Sequence, residues 1–462
     1  MPTSSRIIAT GMTRLAKSGV SAMLLKQQAL EVAMNSIGLR VDQLDGLITV
    51  PSLSETRFMD AHYLATRMGI LPNKSEGGIM VKTLDTGGAG PVTALLEADN
   101  LIKHRGYHLV AVVAGDAVAS MSTEDFLRGA DEGCSEPGER IGGNMGMGGK
   151  GPVIPMGYNR VAEWKMEQGD VTREQLAMVS VLMSRQAVRH PFALTRKPHT
   201  LHKVLQSTPV ASVTSQLECA RRADGAAAVI LASPQFIRDN FSSNSESLLR
   251  APMILGGGEA SGPLFPSGVI TESMFSCERA SKKAYQSANL TVSDIDYFGL
   301  YDCFPICFIK AVEDVGLAPR GGGGQWVEEM YLQSERQGGV LSPSDFPVNT
   351  HGGLLSFGAP WETPAMHSII EAVMQLSDLS RSGLGAGTGL GGGSAARTDT
   401  GARTTGAGAG GGAEEGTGMG TEDRRLARLR QVPLARRALV YGNGGIFSAS
   451  SVAILGRGRV EG

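Results

Sequence analysis

The chain has no apolar run near the length needed to cross a bilayer, so a membrane span is not expected. It also lacks a dominant charge. Net charge is −2 over 462 residues, which favours no nucleic-acid partner. Five cysteines, Cys134, Cys219, Cys277, Cys303 and Cys307, show no metal-ligand spacing, so no metal site is expected; their odd number fits a reducing compartment. The glycine runs 256–258 and 321–324 lack the spaced strand–turn–helix pattern of a dinucleotide site. What remains is a globular composition, 42% hydrophobic and 19% charged, and a length that calls for two or three domains.

Along the chain, strands and helices alternate. Residues 21–38 carry apolar side chains at helical spacing and end at Gly38, and 44–52 reads as a buried strand. The turn TGGAG opens a helix over 90–104, followed by a strand at 107–117. This predicts an α/β fold with a mainly parallel sheet. Residues 118–205 differ, holding a Gly/Met-rich stretch and then basic amphipathic helices, and read as an inserted loop domain over a pocket. The strand ADGAAAVILAS (223–233) resumes the first half, and the Ser-rich linker 239–247 ends it. A second α/β unit follows: strand MILGGGEA, helix 271–288, strand DIDYFGLYD and helix 304–316. The predicted domains are therefore 1–117 plus 206–246, 118–205, and 247–462. Residues 381–423 are Gly, Ala and Thr runs with few large apolar residues, predicted to be a disordered insertion. Order returns at 435–455.

Four segments in order carry a family likeness. They are LDTGGAG (84–90), Tyr301-Asp302-Cys303-Phe304, NTHGGLLSFGAP (349–360) and YGNGGIFSAS (441–450). With ADGAAAVIL (223–231) between the first and second, the chain resembles the thiolases, and within them the sterol-carrier-protein type, whose loop at the second of these places reads His-Asp-Cys-Phe. The resemblance implies a thiolase fold: two duplicated α/β halves forming a five-layer αβαβα core with an inserted loop domain. It also implies an acyl-CoA or CoA ligand, no tightly bound cofactor, and a homodimer pairing through IMVKTLD (79–85). Against the family pattern, the nucleophilic cysteine falls at Gly87 and the Gly-His-Pro histidine at Ala359. The acid/base cysteine near the C-terminus falls by Gly442, and the His-Asp-Cys-Phe histidine has become Tyr301. A thiolate at a helix N-terminus is what makes the family nucleophile reactive, and glycine supplies none.

The chemistry that could remain rests on a short set of residues. Cys303, in the retained YDCF loop, resembles the family cysteine that moves a proton at the substrate α-carbon, with a small packed thiol as the equal alternative. Tyr301 and His351 are further acid/base candidates. Arg185, Arg189, Arg196, Lys197 and Lys203 are candidates for the CoA phosphates, although for any single one a solvated helix face is the plainer reading. Gly444 and Gly445 belong to the last turn and offer backbone donors. The first expectation is a thiolase-like acyl-CoA-binding protein of lipid metabolism, with a degenerate site and weak or altered acyltransferase activity. Two alternatives stand beside it. One is a Tyr301-dependent retro-aldolase on a β-hydroxyacyl-CoA, similar to thiolase-like proteins of steroid side-chain breakdown that carry a Tyr-Asp-Ser-Phe loop. The other is a non-catalytic acyl-CoA or lipid carrier. An intracellular location is expected, mitochondrial or cytoplasmic. The N-terminus has no acid before Glu31, which fits a transit peptide, although Arg6–Gly11 also reads as a first strand; GRGRVEG carries no peroxisomal signal.

Overall fold

The structure, a computed structural model, describes residues 4–72, 78–134, 152–242, 244–264, 269–377, 387–388, 425 and 428–458. The first half runs β1 (Arg6–Met12), α1 (Ala22–Asn35), β2 (Gly46–Thr49), α2 (Asp60–Arg67), β3 (Met80–Thr83), α3 (Gly90–His104) and β4 (Leu109–Ala117). Four helices follow: α4 (Thr123–Glu132), α5 (Val153–Glu167), α6 (Arg173–Ala187) and α7 (Leu201–Leu205). Then come β5 (Asp224–Ala232), α8 (Pro234–Asn240) and α9 (Ser245–Leu249). The second half runs β6 (Met253–Ser261), α10 (Cys277–Ala288), β7 (Tyr297–Gly299), α11 (Pro305–Asp314), α12 (Gly323–Arg336) and α13 (Pro364–Leu376). It ends with β8 (Gly387–Thr388), β9 (Arg437–Gly444) and β10 (Ala449–Gly456).

Two sheets result, ordered β3-β2-β4-β5-β1-β8 and β6-β10-β9-β7. Between them lie α3, packed on β4 and β10, and α13, packed on β5 and β9. α1 covers the far face of the first sheet and α10 that of the second, which completes five layers. Nearly every side chain of α13 is buried, as a helix between two sheets requires. Likewise β5 is buried along its full length and reads as a continuous apolar run.

The mainly parallel sheet expected from the alternation is not what forms. β2 lies parallel to β3 and β4, but β5 runs antiparallel to both β4 and β1. In the second sheet β10 is antiparallel to β6 and β9, because β9 and β10 are joined by a short hairpin turn. Only β7 is parallel to β9 there. The opening segment settles as a strand, with β1 buried throughout and hydrogen-bonded to β5. The helix expected over 271–288 begins at Cys277, after a single 3-10 turn at Glu272–Met274.

Close packing explains the glycines of β6. A Cβ at Gly256 or Gly258 would collide with the backbone of α10, and one at Gly257 with Leu96 of α3. The run lets helices approach both faces of one strand. The insertion expected at 381–423 lies outside the described residues apart from 387–388. No described helix is long and apolar enough to cross a membrane.

Candidate active site

Four loops meet between the sheets: 85–89 before α3, 300–304 after β7, 349–360, and the β9–β10 turn. The backbones of the first and last are in contact, and the side chains of Tyr301, Asp302 and Asn349 join the other two to them. Gly87 has φ +60°, and a Cβ there would stand 2.9 Å from the Gly444 Cα. A Cβ on Gly88 would collide with the Tyr301 hydroxyl and the Asn443 carbonyl. Position 87, where the family resemblance would put a nucleophile, is therefore closed twice, by a backbone angle that side chains rarely adopt and by the neighbouring turn. Nor does Thr86 supply a free hydroxyl. It lies 3.0 Å from the Thr93 hydroxyl, which lies 2.7 Å from Ser451 Oγ, which in turn donates to Glu259 at 3.0 Å. Asp85 accepts from the Gly87 N–H at 3.1 Å, holding the turn.

The Tyr301 loop is clamped from three sides. Asn349 exchanges hydrogen bonds with both backbone groups of Leu300, each at 2.8 Å. The segment 220–223 ties the loop to its neighbour. Ala220 N–H donates to the Cys303 carbonyl at 2.9 Å, and Arg221 N–H to that of Leu354 at 3.3 Å. Asp302, fully buried, accepts from the Leu354 N–H at 2.7 Å, and the carboxylate occupies the space a side chain on Gly353 would need. Burial pushes the Asp302 carboxyl up to about 7 even so.

Tyr301 is buried, and burial raises its phenol well above 10, reinforced by Cys303 and Glu362 beside it. It is a neutral donor at physiological pH. Cys303 is half-buried, and its sulfur lies 3.3 Å from that of Cys307, which is fully buried in the first turn of α11.

His351 sits apart from these groups. Its ring packs edge-on against Phe357 at 5.2 Å, and His190 and His367 contact the same ring at 4.7 and 5.2 Å. Burial lowers His351 to about 4 and His367 to about 3, so both are neutral. The nearest charges are Glu371 and Arg430, paired at 3.4 Å, with Thr350 donating to Glu371 at 2.6 Å. This arrangement is a packed neutral cluster over an internal ion pair.

The basic candidates separate into two groups. Arg185 is bound to α12, donating to Ser334 Oγ at 2.8 Å, pairing with Glu335 and stacking over Tyr331. Arg189 is half-buried beside Arg430, and burial with that neighbour lowers its guanidinium to about 10. Its Nη2 donates to Gln186, while its buried Nε has no partner. Arg196, Lys197 and Lys203 are exposed, and Arg196 donates to the carbonyls of His190 and Pro191. Among the described residues no group of His, Cys, Asp and Glu is placed to hold a metal ion.

Two features were not read from the sequence. Glu362 is a carboxyl with a buried oxygen that has no hydrogen-bond partner; burial, then Asp85 and Asp116, push it up to about 8. The only sequence signal was an acid following Trp361 inside an apolar stretch. The second is Tyr158 of α5. Its hydroxyl donates to the Gly445 carbonyl and accepts from Asn443 Nδ2 at 2.7 Å, while its ring stacks on Phe304 at 4.9 Å. Gly444 and Gly445 therefore form a turn held by Tyr158 from below and by the Gly87 backbone from the side.

The layers and the four converging loops give the α/β arrangement of a thiolase-like fold. Residues 269–383 match the family described as thiolase C-terminal domain-like. The chain is homologous to an acetyl-CoA acetyltransferase of Methanothermobacter thermautotrophicus, 34% identical over 227 residues, 49% of this chain and 56% of the relative. It is also homologous to sterol carrier protein 2 of Oryctolagus cuniculus, 27% identical over 232 residues, 49% of this chain and 40% of the relative. The matched region thus spans about half the length of these curated relatives. Among solved structures, the Ltp2-ChsH2(DUF35) aldolase superposes with a TM-score of 0.69 at 19% identity, covering 100% of this chain and 99% of that one. The monomeric SCP2-thiolase-like protein type 1 of Mycobacterium smegmatis gives 0.63 at 17% identity, covering 99% and 78%. These likenesses fix the fold.

Proposed function

We propose that the chain is a lyase that cleaves a β-hydroxyacyl-CoA by a retro-aldol route, with Tyr301 and Glu362 moving the protons. The observation that carries this reading is the closed turn at Gly87–Gly88, where the Gly444 backbone stands against Gly87 and the Tyr301 phenol against Gly88. Acyl transfer through a covalent intermediate needs a nucleophile there. Carbon–carbon cleavage of a β-hydroxy thioester needs only a base for the hydroxyl and a donor for the enolate. That requirement moves the retro-aldolase alternative ahead of residual acyl transfer.

In the proposed step the Glu362 carboxylate takes the β-hydroxyl proton. The bond between the α- and β-carbons breaks, the β-carbon leaves as a carbonyl compound, and the electron pair passes into the thioester enolate. Neutral Tyr301 then gives its proton to the α-carbon, and the two groups exchange a proton to reset. The rate is expected to rise with pH through about 8 as Glu362 ionises. The segment 118–205 is read as a domain covering this pocket, with Arg189, Arg196, Lys197 and Lys203 meeting the CoA phosphates and Gly444–Gly445 lining the thioester end. Pairing of two copies through the β3 edge is proposed for the assembly. The aldolase neighbour's name includes a DUF35 component, so a DUF35-type chain is the partner to test first.

A second reading keeps Cys303 as the proton-transfer group of a slow acyl-transfer or decarboxylation reaction, favoured by its half-exposed thiol. The deciding experiment assays purified protein with a β-hydroxyacyl-CoA and, separately, with acetoacetyl-CoA plus CoA. The expected outcome is a carbonyl product and a shortened acyl-CoA from the first, lost by ~10²–10⁴-fold in Tyr301→Phe. Turnover that survives Tyr301→Phe and vanishes in Cys303→Ala would transfer the assignment to the second reading. Micromolar CoA binding with no product in either assay, with or without partner, would leave only a carrier.

A further inference from the structure

Of the cysteines, two stand sulfur to sulfur. Cys303 Sγ and Cys307 Sγ are 3.3 Å apart, one on the loop that carries Tyr301 and the other in the first turn of the following helix. A disulfide needs a sulfur separation near 2.05 Å, so closing the pair takes about 1.2 Å of movement, within reach of a χ1 adjustment at Cys303. The two thiols are also unequal in access: Cys303 is half-buried and Cys307 fully buried. Burial raises the Cys307 thiol well above its ordinary value, which keeps it protonated while solvent reaches Cys303. Around them, Asn443 Nδ2 lies 4.0 Å from Cys307 Sγ and 2.7 Å from the Tyr158 hydroxyl, so the pair touches the polar network of the last turn.

We propose that Cys303 and Cys307 are a reversible oxidation site, closing to an intramolecular disulfide when the protein meets a hydroperoxide. Cys303 gives up its proton as its sulfur attacks the peroxide; an S–O bond forms, the O–O bond breaks, and the departing hydroxide takes that proton and leaves as water. Cys307 then attacks the Cys303 sulfur, the S–S bond forms, the S–O bond breaks, and the departing hydroxide takes the Cys307 proton as a second water. Two thiols lose two electrons and two protons, and the peroxide is reduced to two waters. A dithiol reverses the step. Disulfide closure draws the Cys303 sulfur towards α11 and removes an S–H from the Tyr301 loop, so under the proposed function it also changes turnover. The chemical readout does not depend on that function.

The test treats the intact full-length protein with graded hydrogen peroxide, blocks remaining thiols with an alkylating agent, and maps the peptides by mass spectrometry. The expected result is a loss of two hydrogens on the peptide spanning 303–307, with Cys134, Cys219 and Cys277 still alkylated, fully reversed by dithiothreitol. In Cys307→Ala, Cys303 is expected to gain two oxygens instead, irreversibly. Peroxidation of Cys303 to the sulfinic acid in wild type with Cys307 alkylated would overturn the proposal. A bridge from Cys303 to Cys219, whose thiol also senses Cys303, would overturn it equally. If disulfide closes and turnover stays constant, the oxidation site stands and the role of the Tyr301 loop in catalysis falls.

Discussion

Buried charge is handled in opposite ways at two places in this molecule. Where α5 meets the second half, Lys165 is fully buried, yet Asp170, Glu272 and Glu313 lie 2.9, 2.9 and 3.0 Å from its ammonium. Lys310 adds contacts to Glu272 at 2.6 Å and Asp314 at 3.0 Å. Burial works to lower the Lys165 ammonium, but those carboxylates outweigh it and hold it charged. Even within this cluster the rule is visible: Asp314, whose second oxygen has no partner, is pushed up to about 6 by burial. Around the converging loops, partners are scarce. Asp302 has only backbone N–H groups, one Glu362 oxygen has nothing, and both acids hold protons near neutral pH. A satisfied ion pair fixes geometry; an unsatisfied carboxyl stays close to its proton-exchange point, which is what acid/base chemistry uses.

The comparison breaks most sharply at Lys165. Lys165→Met leaves Glu313 buried with a single backbone donor, the Gly323 N–H at 3.1 Å. Stability is expected to fall by ~3–5 kcal/mol, read from the urea midpoint at unchanged slope. A loss under about 1 kcal/mol would show that the cluster is a solvated feature, and the contrast with the loops would disappear.

A smaller effect is expected at the nucleophile position. Gly87→Cys supplies the cysteine that the family resemblance would put there, but at φ +60° against the Gly444 backbone. The expected cost is ~1–3 kcal/mol of stability, with no acyl-cysteine trapped from acetyl-CoA. A trapped thioester in that variant would mean that the turn can open, and the argument against acyl transfer would fail.

How much of this was legible beforehand divides along the line between local and non-local causes. The helix at 90–104 was readable because its glycine turn and apolar spacing are local signals, and β5 because a strand buried on both faces is apolar throughout. Strand direction was not, since it depends on which segments cross between layers. α12 was obscured by the glycines that begin it. Gly323 and Gly324 are small because Ile309, Gln175 and Asp170 come close there, a reason that lies elsewhere in the chain. In the site, Tyr301 and Cys303 stood out within a compact motif. Glu362 and Tyr158 did not, because an acid or a phenol becomes unusual only through what surrounds it, and Asn443 is 285 residues from Tyr158.

The comparison is tested separately by the pH dependence of stability. Glu362 titrates at about 8 in the fold against 4.5 in an unfolded chain, so the native state binds the extra proton between those values. Its contribution is complete below pH 4.5 and is lost as pH rises towards 8. Asp302 acts in the same direction between 3.8 and about 7. His351, lowered from 6.5 to about 4, opposes them: its contribution is present above 6.5 and is lost as pH falls towards 4. Glutamine mimics the protonated acid. Glu362→Gln should therefore match wild type at pH 4 and exceed it at pH 8, flattening the curve by at most about 1.4 kcal/mol per pH unit. Denaturation of both proteins across pH 4–8 checks this. Parallel curves would mean that Glu362 ionises in the fold as it does in water, and an acid of that kind has no claim on the Tyr301 proton.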